Sequence, residues 1–337
     1  MAGGIGSRFW PLSTPDRPKQ FIDVLGCGMT LLQQTAGRFA GIVSEKNIWV
    51  VASERHKDII YEQLPNVPRQ NILLEPCMRN TAPCIAYVGW KIKSVDQDAE
   101  IIVTPSDHLI KDEKTFSRTI SEALGFIEKH DAIVTVGISP TSPHTEYGYI
   151  AADKSGLPVR KVLSFKEKPD IEKAKEYLAA GNYFWNSGMF LWKLSTLEES
   201  FRKHAPEIAA IFDTASSHFG KPTETEMTAH GYGCAPKISV DYAIMEKADN
   251  IYVIPADFGW SDLGSWSSLK ENIPHDDKGN SFVGDAVFIN SSNCIAYIHK
   301  GHSVTIENEE NAIIIDRGGT IAYYDAEGNL KKEEALD

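Results

Sequence analysis

The chain has 337 residues, which is long enough for one large α/β domain and a smaller second domain. Its composition, with 42% hydrophobic and 24% charged residues, is that of an ordinary soluble globular protein. The formal net charge of −12 argues against nucleic acid as a partner, and no apolar run reaches the length of about 18 residues that a membrane span needs. Because the sequence also shows no signal peptide, it predicts a cytoplasmic protein.

Cysteine usage agrees with a reducing compartment. The cysteines form an odd, scattered set without a C-x-x-C pair, which argues against a disulfide framework and against a structural zinc site. They are Cys27, Cys77, Cys84, Cys234 and Cys294. An acidic protein that binds phosphates must therefore use local basic groups or a metal ion.

The first half of the chain alternates short apolar runs with helix-period segments, a pattern typical of a largely parallel α/β sheet. Strands are predicted over 47–53, 71–76, 100–108 and 132–138. Helices are predicted over 54–64 and 81–95. A further helix carries one apolar stripe, formed by Phe116, Ile120, Leu124 and Ile127.

The middle of the chain is less regular. Further β segments are predicted over 146–153, 161–169, 183–194 and 251–257. Asp170 is expected to cap a helix over 171–180 that stops at Gly181, and "STLE" at 195–198 has the pattern of a capping box.

The sequence pattern changes beyond about residue 272. The segment "NIPHDDKGN" (272–280) has the Pro, Asp and Gly of a linker. Residues 281–325 read as a train of short strands with Gly and Asn turns and no helical pattern. We therefore predict a large α/β domain over 1–272 and an all-β domain over 280–337.

The start of the chain contains the glycine-rich segment "GGIGSRFWPLS". It matches neither a Walker A loop nor a kinase glycine loop, and Phe9 stands where a dinucleotide fingerprint needs its third glycine. Glycines still let backbone N–H groups approach a phosphate, and nearby cations add charge. The residues concerned are Gly3, Gly4, Gly6, Arg8 and Lys19. The alternative is a surface turn with two solvated cations.

Two aspartates follow predicted strands. Asp107 lies at the carboxyl end of the strand over 100–108, where open α/β sheets bind their ligands, and Asp262 follows the strand over 251–257. Paired carboxylates suit Mg²⁺, which prefers hard oxygen ligands. For either aspartate taken alone, a role in a turn or a helix cap is the alternative.

The longer string "GGIGSRFWPLSTPDRPKQF" resembles the signature of the sugar-nucleotide nucleotidyltransferases, in particular the bacterial mannose-1-phosphate guanylyltransferases. The resemblance covers nearly the whole chain, because "EPCMRNTAP", "TPSDH", "EYGYI", "FKEKP", "WNSGMF", "SVDYAIMEK" and "WSDLGSW" follow in the family's order. It implies a Rossmann-like, mixed but mostly parallel sheet of the nucleotide-diphospho-sugar transferase type. It also implies a left-handed β-helix-like C-terminal domain and a homodimer.

The same resemblance implies roles for individual residues. Asp107 and Asp262 would hold Mg²⁺, and the catalytic cations would be Arg8, Lys19 and Lys168. Nucleotide binding would fall to Gly3, Gly4, Gly6, Arg8, Arg79, Asn80, Thr81 and Ala82. Sugar-phosphate binding would fall to Gly148, Glu167, Lys168, Asn186 and Gly188. On its own, Thr81 is expected to be the N-cap of the helix that follows it.

The implied reaction transfers GMP from GTP to α-D-mannose 1-phosphate and releases pyrophosphate. The phosphate oxygen of the sugar attacks directly, so that neither a covalent nucleophile nor a general base is needed. One alternative is a GTP-dependent guanylyltransferase for another sugar 1-phosphate, such as a heptose or fucose 1-phosphate. Another is a non-catalytic regulator that binds nucleotide sugars.

The family carries several apolar residues before the glycine-rich segment, which form a central strand. Met1 stands where that strand should end. Because the neighbours of a missing central strand lose ladder hydrogen bonds and packing, we expect a gap or an improvised strand beside the glycine-rich segment. This reading takes the chain to be shortened at its N-terminus.

Overall fold

The computed structural model describes residues 1–4, 9–166 and 168–336. The described strands, numbered β1 to β17, are Val50–Ser53, Ile72–Glu75, Glu100–Val103, Leu109–Ile110, Ile133–Ile138, Tyr149–Ala152, Arg160–Lys166, Tyr183–Lys193, Ile251–Ala256, Trp260–Ser261, Ser281–Val283, Asp285–Ile289, Ile295–Tyr297, Ser303–Glu307, Ile313–Asp316, Thr320–Tyr324 and Leu330–Ala335. The described α-helices, numbered α1 to α9, are Leu31–Gly37, Lys57–Gln63, Thr81–Lys93, Glu113–Ile127, Ile171–Ala180, Leu194–His204, Pro206–Ser216, Glu224–Cys234 and Trp266–Lys270. A π-helix spans Asp241–Met245, and short 3₁₀ turns occupy Lys19–Phe21, Glu45–Asn47, Glu54–His56 and Arg69–Asn71.

The chain divides into two compact units. The first unit comprises Met1–Gly3, Arg38–Ser106 and Ile110–Trp260, and the second comprises Gly4–Gly37, Asp107–Leu109 and Ser261–Asp337. This division differs from the domain boundary predicted at 272–280, because the segment after Gly3 groups with the C-terminal strands. The assignment of functional domains over 1–272 and 280–337 stays a prediction.

The main sheet of the first unit has six strands in the order β3-β8-β5-β9-β7-β6. Within it the pair β5–β9 is parallel, whereas β3–β8, β5–β8, β6–β7, β6–β8 and β7–β9 are antiparallel. The prediction of a mostly parallel sheet is therefore wrong for this sheet. The connection from β6 to β7 spans only residues 153–159, too short for the crossover that a parallel pair needs.

Strands β1 and β2 pair in parallel as a separate two-stranded sheet. The first residues of the chain bond both to β1 and to the loop after β3. The Ala2 N–H donates to the Val51 carbonyl at 2.8 Å, and the Met1 nitrogen donates to the Thr104 carbonyl at 2.8 Å. The Ser106 N–H in turn donates to the Met1 carbonyl at 3.1 Å.

Helices of the first unit pack apolar side chains against its strands. The stripe on α4 is confirmed, since Phe116, Ile120 and Ile127 are fully buried and Leu124 is partly buried. On α3, residues 82–90 are all buried, and this helix packs with Phe212 and Tyr232 of two later helices. Such burial stabilises by about 25 cal/mol per Å² of apolar surface.

The predicted helix signals had different outcomes. The Asp170 carboxylate accepts from the Lys173 N–H at 2.8 Å, and Gly181 ends α5 in the left-handed conformation, so both signals are confirmed. The capping box at 195–198 is wrong. Helix α6 already begins at Leu194, with Lys193 as an N-cap that makes no side-chain capping bond.

The second unit is rich in β-strands, as predicted for the C-terminal region. Its larger sheet has the order β11-β13-β15-β16-β17, parallel from β11 to β15 and antiparallel from β15 to β17, and β12 pairs in parallel with β14. Gly284 joins β11 to β12 at a φ of +90°, where a Cβ would lie 2.1 Å from the Ile298 carbonyl oxygen. Only glycine fits this position.

One face of the larger sheet is covered from the N-terminal segment. Phe9, Val24 and Leu31 are buried in one cluster with Ile313 and Tyr324. Among the described helices of the chain, none combines the length and the apolar character that crossing a membrane would require.

Candidate functional site

A charged cluster in the second unit is built around Lys19. Its side chain is 7% exposed, and its ammonium donates to the carbonyl oxygens of Asp262 at 2.6 Å and Leu263 at 3.2 Å. The same nitrogen lies 3.1 Å from Oδ2 of Asp107. An ammonium has three N–H donors, so these three acceptors use its whole donor capacity. Lys19 therefore holds Asp107 against the backbone at Asp262–Leu263.

The Asp107 carboxylate stays ionised because of its charged neighbours. Burial raises its pKa, but Lys19 and then His108, whose Nε2 lies 3.8 Å from Oδ1, lower it, and the net shift is downward from 3.8. A carboxylate has about four acceptor positions, more than these two neighbours use. The oxygen atoms of the Asp107 carboxylate can therefore bind a hard cation in addition to the Lys19 ammonium.

The Asp262 side chain is oriented by the backbone that follows it. Its Oδ1 accepts from the Gly264 N–H at 2.9 Å, and the Ser261 hydroxyl accepts from the Leu263 N–H at 3.1 Å. A Cβ on Gly264 would lie 2.7 Å from Oδ2 of Asp262, so glycine makes room for the carboxylate. Our sequence reasoning missed Gly264, although it stands inside the motif "WSDLGSW".

The glycine-rich segment is described only in part. Gly4 has a φ of +103°, a conformation that favours glycine, and Phe9 is buried with its ring 5.6 Å from the Lys19 ammonium. The predicted ligands Gly6 and Arg8 lie outside the described residues. Gly3 belongs to the first unit, where a Cβ would lie 3.8 Å from Oε2 of Glu75.

In the first unit, Arg79 is held by the end of a distant helix. Its Nε donates to the Tyr232 carbonyl and its second terminal nitrogen donates to the Gly233 carbonyl, each at 2.8 Å. These bonds fix the segment before α3. Tyr232 and Gly233 carry no recognisable signal in the sequence, because the bonds use only their main-chain oxygens.

The predicted cap of α3 is wrong by one residue. The N-cap is Asn80, at a φ of +66°, and its side chain accepts from the Thr81 N–H at 2.9 Å. The Thr81 hydroxyl instead accepts from the Val240 N–H at 2.9 Å, and the Ala82 N–H donates to the Ile238 carbonyl at 3.1 Å. The segment from Asn80 to Ala82 is thus tied to the chain just before the π-helix.

Asn186 connects the predicted sugar-binding residues of the first unit. Its N–H donates to the Gly148 carbonyl at 2.8 Å, and its Oδ1 accepts from the Gly188 N–H at 3.0 Å. Its Nδ2 donates to Oδ1 of Asp241 at 2.8 Å. Burial raises the pKa of Asp241, and the Asn186 amide opposes that rise. Asp241 lies in the motif "SVDYAIMEK", but sequence reasoning gave it no role.

Gly188 and Lys168 are also among the predicted sugar-binding residues. Gly188 has a φ of +71°, and a Cβ there would lie 3.3 Å from Cγ of Pro105, so a larger residue would be both strained and crowded. Lys168 is exposed, at a φ of +22°, just after β7. Glu167, its predicted neighbour in sugar binding, lies outside the described residues.

The chain is similar to known proteins over most of its length. The model of the family "Nucleotidyl transferase" matches residues 1–279. The alginate biosynthesis protein AlgA of Pseudomonas syringae is 39% identical over 94% of this chain and 66% of its own length. The mannose-1-phosphate guanylyltransferase of Escherichia coli is 37% identical over 93% of this chain and 67% of its own length.

A solved structure extends the match to three dimensions. It is described as the mannose-1-phosphate geranyltransferase of Thermus thermophilus and is 29% identical, with a TM-score of 0.86 over 97% of this chain and 94% of its own. The chain spans about two thirds of the length of the curated relatives it matches. It belongs to the nucleotidyl transferase family.

Proposed function

We propose that this protein transfers GMP from GTP to α-D-mannose 1-phosphate, giving GDP-mannose and pyrophosphate. One observation carries the proposal: Lys19 holds the ionised Asp107 against the Asp262–Leu263 backbone in a chain of the nucleotidyl transferase family. The sugar named in the proposal follows from the relatives, one of which is a mannose-1-phosphate guanylyltransferase.

The reaction needs positioning and charge neutralisation more than acid–base chemistry. The sugar phosphate oxygen is already anionic at neutral pH, and it attacks the α-phosphorus of GTP while pyrophosphate leaves. Two anions must approach each other, so cations and oriented donors contribute most of the rate enhancement. None of the proposed site residues therefore has to form a covalent intermediate.

The second unit supplies the phosphate-binding and metal-binding groups in this proposal. Asp107 and Asp262 would hold Mg²⁺, which when bound neutralises phosphate charge. Gly4 would present its backbone, and Lys19 would reduce repulsion between the reactants while keeping Asp107 ionised and in place. Gly6 and Arg8 keep their proposed phosphate-binding roles.

The first unit supplies recognition of the nucleotide and the sugar. Gly3 and the segment Arg79–Ala82 would contact the nucleotide. Because the Thr81 and Ala82 N–H groups already have acceptors and their carbonyls lie in the first turn of α3, the exposed Asn80 side chain is the group offered to guanine. The sugar phosphate would be bound by Gly148, Glu167, Lys168, Asn186 and Gly188, with the Lys168 ammonium neutralising its phosphate.

Three further predictions accompany this function: a left-handed β-helix-like C-terminal domain, a homodimer and a cytoplasmic location. The parallel pairs Ser281↔Ile295 and Ile295↔Ile313 support the first, because successive coils of a β-helix stack their strands in this way. Size measurement of the purified protein in solution tests the second.

A screen of pyrophosphate release tests the function. Each of four nucleoside triphosphates is combined with mannose, fucose, heptose or glucose 1-phosphate, with and without Mg²⁺. We expect release that depends on Mg²⁺ and is fastest with GTP and mannose 1-phosphate. Faster release with GTP and another sugar phosphate would replace mannose in the proposal. No release with any pair, together with calorimetric binding of GDP-mannose, would support the regulator instead.

A further inference from the structure

The second unit contains a His–His–Asp cluster that the proposed transfer reaction does not use. His299 and His302 lie in the turn between β13 and β14, and Asp316 is the last residue of β15. One ligand atom from each of the three side chains lies within 4.8 Å of the others. The chain thus brings together two imidazoles from one turn and a carboxylate from a neighbouring strand.

The Asp316 carboxylate is buried and held in a fixed orientation. Its side chain is 0% exposed, and Oδ1 accepts from the Gly318 N–H at 2.7 Å while Oδ2 accepts from the His299 N–H at 3.0 Å. Burial raises its pKa, but the hydrogen bonds from Gly318, His302 and His299 lower it to about 2, so it is ionised. Backbone donors that orient a ligating carboxylate are typical of the surroundings of metal ligands.

Both histidines present the same ring nitrogen to this carboxylate. Nδ1 of His299 lies 3.3 Å from Oδ2 of Asp316, and Nδ1 of His302 lies 2.5 Å from the same oxygen. In a tetrahedral site with bonds near 2.0–2.1 Å, ligand atoms are separated by roughly 3.3 Å. The distance from Nδ1 of His299 to Oδ2 of Asp316 already has this value. Nδ1 of His302, whose side chain is 32% exposed, has to move about 1 Å away from Oδ2.

The cationic side chain that follows Asp316 in the sequence is directed elsewhere. Arg317 donates to Oε1 of Glu333 at 2.9 Å and also bonds the Tyr324 hydroxyl. Two nitrogen donors and one carboxylate match Zn²⁺, Co²⁺ or Ni²⁺ and do not match Mg²⁺ or Ca²⁺, which prefer oxygen. The partial exposure of both histidines leaves solvent access for a water ligand.

We infer that His299, His302 and Asp316 form a binding site for one divalent transition metal of the Zn²⁺ class. The metal takes the place of the Nδ1 protons between the imidazoles and the carboxylate. Each Nδ1 proton passes to solvent, and each ring remains a neutral imidazole with its proton on Nε2. Once bound, it fastens the His299–His302 turn to the end of β15 and stabilises the second unit. The inference does not depend on the proposed transfer reaction.

Titration of the full-length protein with Co²⁺, in the presence of excess Mg²⁺, tests the site. We expect one equivalent of Co²⁺ to bind with visible ligand-field absorption and to be displaced by Zn²⁺. His299→Asn and His302→Asn should each weaken Co²⁺ binding at least about tenfold, since each removes a metal ligand. His230→Asn is the matched control, because His230 is an exposed histidine of α8 outside the cluster.

A melting experiment gives a second measurement. Zn²⁺ should raise the Tm of the wild type and of the His230→Asn protein, and this rise should vanish in the double variant His299→Asn/His302→Asn. Equal Co²⁺ affinity and an equal Tm rise in wild type and double variant would overturn the site. Pyrophosphate release by the double variant separates this result from the transfer reaction, since loss of the metal leaves that assay unchanged.

Discussion

The pKa of a carboxyl group is shifted in opposite directions at one position in each of the two units. In the second unit, Lys19 and His108 outweigh burial and lower the pKa of Asp107. In the first unit, burial dominates at Glu75, the last residue of β2, and raises its pKa to about 7 despite a hydrogen bond from the Tyr232 hydroxyl. Burial and charged neighbours together decide ionisation, because the Asp107 side chain is 35% exposed and lies beside Lys19 and His108, whereas Glu75 is only 8% exposed.

The same contrast extends to the other site residues. In the second unit an ion pair joins Lys19 to Asp107, in addition to the bonds from Lys19 to main-chain carbonyls. The first unit holds Arg79, Thr81 and Asn186 mainly through hydrogen bonds to main-chain groups. We therefore expect substitutions in the second unit to affect turnover, and substitutions in the first unit to affect binding or stability.

The largest effect is expected at the paired aspartates. Asp107→Asn and Asp262→Asn keep the side-chain volume but remove the charge, so kcat for pyrophosphate release should fall about 10³-fold or more. Circular dichroism checks that the fold is intact. Asp112→Asn is the control, because Asp112 caps α4 through its Oδ1 and an asparagine caps equally well. Full activity in both site variants would contradict the metal assignment.

Lys19→Met tests the coupling between Lys19 and Asp107. We expect kcat/KM to fall about 10²-fold, since the variant loses a cation that stabilises the reacting phosphates. Because Lys19 lowers the pKa of Asp107, its removal raises that pKa, and activity should be lost at a higher pH on the acid side. A pH profile of kcat/KM measures the shift. An unchanged acid limb in Lys19→Met would show that Asp107 does not control it.

Glu75→Gln tests the opposite case in the first unit. Because the pKa of Glu75 rises from 4.5 to about 7 on folding, its contribution to stability is fully present below pH 4.5 and is lost as the pH rises through about 7. The free energy of unfolding of the variant should therefore exceed that of wild type by about 1–3 kcal/mol at pH 8, and this difference should be much smaller at pH 5. Urea unfolding at both pH values measures this, and a gain that is equal at the two would refute the assignment.

The smallest effect is expected at Asn186. Asn186→Ala removes the amide that bonds Asp241 and Gly188, and KM for the sugar phosphate should rise about tenfold with little change in kcat. Asp241→Asn is the matched variant, since it keeps an acceptor for the Asn186 amide. Its KM should stay near that of wild type. Equal KM values for Asn186→Ala and wild type would remove Asn186 from sugar binding.

Local sequence signals predicted the elements with strong periodicity. The strand over 132–138 and the stripe on α4 were found because their apolar spacing is regular. Helix α8 was not predicted, because "ETEMTAHGYGC" carries two glycines and no apolar stripe, and the helix buries only Thr228, Gly231 and Tyr232. Packing of Tyr232 against α3, rather than helix propensity, holds this segment.

Residue types and local spacing were enough to identify the family and the β-rich character of the C-terminal region, and to predict the residues of the site. The three-dimensional structure was needed to establish that most strand pairs of the main sheet are antiparallel, since strand direction depends on which distant segments pair. It also decided that Lys19 bonds the carbonyl of Asp262, 243 positions along the chain. Contacts to main-chain atoms such as this one cannot be recognised from the sequence, because every residue type carries the same main-chain carbonyl.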